Sequence, residues 1–160
     1  MSPVSRRRLM TAMASAYAVL AVPPVEAQNQ SKPPINLDGA GLAIKGYDPV
    51  AYFTLGAPTR GLAQFTATHD GATYRFASAE HKAKFEQEPA KYVPQYGGYC
   101  AYAVAKGYTA AVDPTAWQVV GDKLYLNYNA AVAKTWAGDI GGYTKSADAN
   151  WTEWPKLKRN

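Results

Sequence analysis

Two dipeptides, Asp70-Gly71 and Gly121-Asp122, constrain this chain more than any other feature. Each separates two short segments in which apolar and polar residues alternate. Asp-Gly is a favoured two-residue hairpin loop, because both residues accept positive φ and the turn then matches the twist of the strands it joins. Pairing across the first dipeptide sets Phe65 opposite Phe76, Ala67 opposite Tyr74 and His69 opposite Ala72 on one face. Thr66, Thr68, Thr73 and Arg75 share the other face. Around the second dipeptide, Trp117, Val119, Leu124 and Leu126 fall together, with Gln118, Val120, Lys123 and Tyr125 opposite them. Two antiparallel hairpins are expected.

Short helices fill the intervals. Asp48 followed by Pro49 reads as an N-cap and first helical position before Val50 to Phe53. Ser78 caps a helix predicted over residues 79–88, with Phe85 as its apolar anchor and His81 one turn earlier on the same face. Gly97-Gly98 breaks the chain, a short helix follows over residues 99–106, and Gly107 stops it. Asn129 caps a last helix carrying Val132 and Trp136, and Trp151 and Trp154 in the tail dock back on the body. No internal repeat and no second break in composition stand out. The reading is a single small α+β domain of two hairpins packed with several short helices. Its 48% hydrophobic content is enough for a core, and a single cysteine closes no intrachain disulfide.

The first 27 residues read as an export signal. A basic head containing Arg6, Arg7 and Arg8 precedes an apolar, alanine-rich run over residues 9–22, and Val25-Glu26-Ala27 offers a cleavage site. The run is shorter than the ~20 residues a spanning helix needs, so no stable membrane anchor is expected after cleavage near Ala27. Ser5-Arg6-Arg7-Arg8-Leu9-Met10 also fits a twin-arginine signal, and an ordinary secretory head stays open beside it. Residues 28–39 form a loose lead-in, residues 40–154 the domain and residues 155–160 a tail. The implied location is periplasmic or secreted. Past residue 27 the chain keeps 14 Lys/Arg and 11 Asp/Glu, a net +3 that is scattered and not gathered into a basic stripe, which gives nucleic-acid binding no support.

Few residues can carry chemistry. The chain has no nucleophile elbow, phosphate loop, HExxH or CxxC. Cys100, His81, His69 and the 12 tyrosines are what remain. Cys100 is expected in the first turn of a helix, where the dipole favours a thiolate, the form that acts as nucleophile and soft-metal ligand. The same residue would serve equally as a small buried hydrophobe. One thiolate with one or two imidazoles suits Cu(I), and Zn(II) less well. Cys100, His81 and His69 are therefore the candidate metal ligands. Tyr92, Tyr96, Tyr99 and Tyr102 surround the glycine pair and Cys100, as pocket lining or as core.

Several stretches together resemble the YHS domain family in its small exported bacterial form. They are Gly46-Tyr47-Asp48-Pro49-Val50-Ala51-Tyr52-Phe53, Tyr74-Arg75-Phe76-Ala77-Ser78 and Pro94-Gln95-Tyr96-Gly97-Gly98-Tyr99-Cys100-Ala101. Asp113-Pro114 with Trp117, Lys123 to Asn129, and Ala147-Asp148-Ala149-Asn150-Trp151 complete the set. The resemblance covers roughly residues 40–154. Family modules attached to metal-transporting ATPases bind metal through a Phe-Cys-Ser-x-x-Cys pattern. Here Ala77 replaces the first of those cysteines and His81 stands at the second, so the thiolate pair is missing. The resemblance implies a periplasmic, non-enzymatic binding module with a soft metal ion or a protein as partner. A thiol-based redox enzyme using Cys100 and a partner-binding module without metal are the alternatives.

Overall fold

The computed structural model describes residues 34–159, so the expected export signal lies outside the described residues. The fold is α+β, built on two antiparallel hairpins. Strands β1 (Leu62–His69) and β2 (Ala72–Phe76) form the first. Asp70 and Gly71 turn with φ of 49° and 81°, as the dipeptide requires. Ala67 opposes Tyr74 and His69 opposes Ala72. The expected Phe65–Phe76 pair does not form: the register shifts between Leu62 and Thr66, and Leu62 opposes Phe76. A β-bulge inserts residues on one strand only, which strict alternation cannot anticipate. Tyr74 and Phe76 are buried, while Phe65 is half-buried against the core.

Helix α1 (Ala51–Thr54) precedes this hairpin. Helix α2 (Ala79–Gln87) follows it, with the Ser78 hydroxyl accepting the His81 N–H at 3.1 Å, and α3 (Pro89–Tyr92) comes next. Helix α4 (Ala101–Ala105) is shorter than expected because Tyr99 is still extended and Cys100 is the cap residue. Gly107, at φ 86°, ends it. Strand β3 (Tyr108–Thr109) leads to the second hairpin, β4 (Asp113–Val120) with β5 (Lys123–Asn127). Its pairs Trp117–Leu126 and Val119–Leu124 are the expected ones.

Helix α5 (Ala130–Ala137) starts at the expected cap, Asn129. After it comes α6 (Ile140–Thr152), capped by Asp139, a helix the sequence reading missed. Its Ile140, Tyr143, Ala147 and Trp151 pack into a second core cluster with Tyr125, Trp136 and Val104. Asn150 Nδ2 holds α6 to the end of α4 by donating to the Val104 and Ala105 carbonyls at 2.8 and 3.2 Å. Strand β6 (Lys158–Arg159) closes the tail in parallel with β3. The larger cluster holds Tyr52, Tyr74, Phe76, Phe85, Leu124 and Leu126. Strand β5 lies between the clusters and is buried on both faces, since Tyr125 is 6% exposed and Leu124 and Leu126 are sealed.

The fold contains an internal repeat, contrary to the sequence reading. Ile44, Lys45 and Gly46 run left-handed at φ 51°, 51° and 78°, and Tyr96, Gly97 and Gly98 do the same at 54°, 60° and 77°. In each run the following tyrosine donates back to the first residue at 3.0 Å, Tyr47 to Ile44 and Tyr99 to Tyr96. A short helix, a bulged two-residue hairpin and a side-chain-capped helix then follow in both halves. The second cap mirrors Ser78, with Asn129 Oδ1 accepting the Val132 N–H at 2.9 Å. Tyr74 meets Phe85 at 4.9 Å and 37°, and Tyr125 meets Trp136 at 5.0 Å and 38°. Only Gly46-Tyr47 and Gly98-Tyr99 echo one another closely in sequence, so packing geometry carries a likeness that residue identity hides.

Candidate functional site

In the first half the repeat holds a buried charge. Asp48 is fully buried, and its Oδ1 accepts the N–H groups of Val50 and Ala51 at 2.8 and 3.3 Å. Its Oδ2 accepts the Ala77 N–H at 2.8 Å and faces His81 Nδ1 at 2.6 Å. The carboxylate is thereby satisfied on both oxygens, which is what makes burial of such a group tolerable. His81 Nε2 lies 3.2 Å from Thr54 Oγ1, whose hydroxyl donates to the Val50 carbonyl at 3.0 Å. One carboxylate ties the start of α1, the end of β2 and the first turn of α2 together. Sequence reasoning read Asp48 as a cap and His81 as a ligand or as a core histidine satisfied by backbone; their pairing is tertiary.

Cys100 occupies the place of Asp48 in the second half. Its N–H donates to the Ala110 carbonyl at 3.1 Å, as the Asp48 N–H donates to Thr59 at 2.8 Å. Burial pushes the thiol pKa up, and the backbone N–H groups of Ala103, Tyr128 and Tyr102 pull it back in part. Those three correspond to Ala51, Ala77 and Val50, the donors to Asp48. The thiol donates to Asn127 Oδ1 at 3.6 Å, an oxygen that also accepts the Tyr102 N–H at 3.2 Å. Asn127 is 1% exposed and its Nδ2 has no hydrogen-bond partner. It stands where the first half has Phe76.

The counterpart of His81 is Val132. Where the first half has an imidazole, the second has an open cavity of about 450 Å³. Cys100, Tyr102, Ala103, Tyr128 and Val132 line it, and these are the counterparts of Asp48, Val50, Ala51, Ala77 and His81. Tyr108 adds a third phenol to the wall. Of the tyrosines singled out in the sequence, Tyr102 alone is in this wall. Tyr96 donates to Asp148 at 2.8 Å, Tyr99 packs near Trp151 at 6.3 Å, and Tyr92 meets Phe53 at 5.5 Å.

His69 stands apart from both centres. Its Nε2 is 3.5 Å from Asp70 Oδ2 and its ring meets Phe85 edge-on at 6.0 Å. With Asp70, Tyr74 and Trp151 it borders a second cavity of about 350 Å³. His69, His81 and Cys100 do not converge: no group of three or more His, Cys, Asp or Glu among the described residues is placed to hold a metal ion. The residues therefore do not fit a resident Cys/His centre, because His81 Nδ1 is engaged by Asp48 and Cys100 has no imidazole in its cavity wall. No helix among the described residues is long and apolar enough to cross a membrane. No family model matches the chain, and no curated protein or solved structure matches it significantly.

Proposed function

We propose that this chain is a non-catalytic binding module of the YHS type, working in the periplasm or outside the cell, and that its ligand site is the Cys100 cavity. The observation that carries the reading is the cavity itself. It is a concave, largely apolar space of about 450 Å³ in which one thiol and several phenols are the polar groups, which is the ordinary make-up of a small-molecule site. The expected export signal supports the location, and the resemblance to the YHS stretches supports the module.

A second reading keeps a soft metal as ligand. Cys100 in the cavity wall is a soft donor, and Cu(I) would displace its proton and bind the thiolate. With no second soft ligand in the wall, that ion would arrive carrying its own remaining ligands. Ligand-observed NMR with a library of small aromatic and aliphatic fragments tests the first reading. Fragments should bind the wild type and be lost in Val132→Phe, which fills the cavity. If no fragment is displaced by that substitution, the cavity is not the site. Cu(I) titrated against a competing chelator tests the second: binding lost in Cys100→Ser supports it, and equal affinity in both proteins removes it.

A further inference from the structure

We propose that the Cys100 cavity takes a planar aromatic ring bearing a ring nitrogen, imidazole being the simplest, in the position that His81 occupies against Asp48. This inference rests on the cavity being the ligand site and adds the chemical class of the ligand. In the first half, an acceptor fixed by three backbone N–H groups receives an imidazole from α2. In the second half, Cys100 stands in the acceptor's place and lines the cavity. The side chain at the imidazole position is Val132, too short to replace it, and the space it leaves is open. The frame is kept and the ring is missing.

The sulfur is suited to such a guest. The thiol gives its own proton to Asn127 Oδ1, which leaves the sulfur lone pairs to accept a ring N–H, as His81 faces Asp48 Oδ2 in the first half. The walls suit a flat ring, since Tyr102, Tyr108 and Tyr128 offer aromatic surface and Ala103 and Val132 are short side chains. An all-carbon or sulfur ring of the same shape supplies no such donor.

The test compares 4-methylimidazole with 3-methylthiophene, a flat five-membered ring of similar size without nitrogen. Both are titrated into the intact protein, with backbone amide shifts of Ala103 and Tyr128 as the readout. The imidazole should bind about three- to tenfold more tightly than the thiophene, as expected for one hydrogen bond made or left unmade. That preference should vanish in Cys100→Ala, which removes the acceptor, and both rings should be excluded by Val132→Phe. Equal affinity of the two rings for wild type overturns the ring-nitrogen inference and leaves the cavity reading intact. Failure of both rings to move those amides overturns the inference and the cavity reading together. The wild-type comparison stands even if a variant fails to fold.

Discussion

The Asp48 half and the Cys100 half answer one structural problem in two ways. Each begins with three left-handed residues and then buries a single side chain, Asp48 or Cys100, ahead of a short helix. In the Asp48 half that side chain is charged, and the chain supplies its own partner, His81, at 2.6 Å. In the Cys100 half it is a neutral thiol, and Val132 leaves the partner's place empty. A buried carboxylate without a partner would be intolerable, whereas a buried thiol is not, so only the second half can leave its cavity open. The first half reads as a structural pin, the second as a receptor built on the same frame.

The largest way to break this comparison is Asp48→Ala. It strips the acceptor from the N–H groups of Val50, Ala51 and Ala77 and orphans His81. A loss of about 3–5 kcal/mol is expected by denaturant unfolding. Cys100→Ala should cost much less, because a small hydrophobe is exchanged for another. Equal losses would show that the two positions do the same mechanical job.

The left-handed runs differ next. A Cβ on Gly97 would run into the Pro34 carbonyl, at φ 60°, while Lys45 holds φ 51° on an exposed side chain. Gly97→Ala should therefore cost about 2–3 kcal/mol, from overlap added to left-handed strain. Lys45→Gly should instead stabilise by up to about 1 kcal/mol. Opposite signs at matched positions are the expected result, read from midpoint shifts at unchanged slope.

The gentlest probe is pH. Burial raises the Cys100 thiol pKa in the folded protein above its unfolded value. A raised acid is neutral in the fold when it would ionise in the unfolded chain. Its stabilisation is complete below the ordinary thiol range, near pH ~8.5, and is lost as pH climbs through the folded value. The stability gap between wild type and Cys100→Ala should shrink above that range. A gap that grows with pH would mean that the N–H groups outweigh burial.

Much of the fold was legible because its signals are local. Asp70-Gly71, Gly121-Asp122, Ser78, Asn129 and Gly107 each act within a few residues, and each did what its chemistry dictates. The bulge before Thr66 and the helix over Ile140–Thr152 were missed for different reasons. Strict alternation has no place for an inserted residue, and Gly141-Gly142 at the start of α6 obscures an apolar spacing of Ile140, Tyr143, Ala147 and Trp151. Of the site, Cys100 and Tyr102 were visible as chemistry. Tyr108, Tyr128, Val132 and Asn127 were not, because a cavity is defined by what is small or absent. The Gly-Tyr-Asp and Gly-Tyr-Cys triplets were the available signal for the repeat, and only the recurrence of packing around them gives it meaning.

The central claim is that Cys100 and Val132 are the structural counterparts of Asp48 and His81. A double-mutant cycle tests it directly, using Cys100→Asp, Val132→His and the two combined, each measured by denaturant unfolding. Cys100→Asp alone should cost about 3 kcal/mol, since it buries a carboxylate without its imidazole. Val132→His alone should change stability little, since the ring fills the open cavity and meets only a neutral thiol there. Combined, they should rebuild the pair seen between Asp48 and His81 and recover about 2–3 kcal/mol relative to the sum of the single losses. Losses that simply add, within about 0.5 kcal/mol, would contradict the equivalence of the two halves.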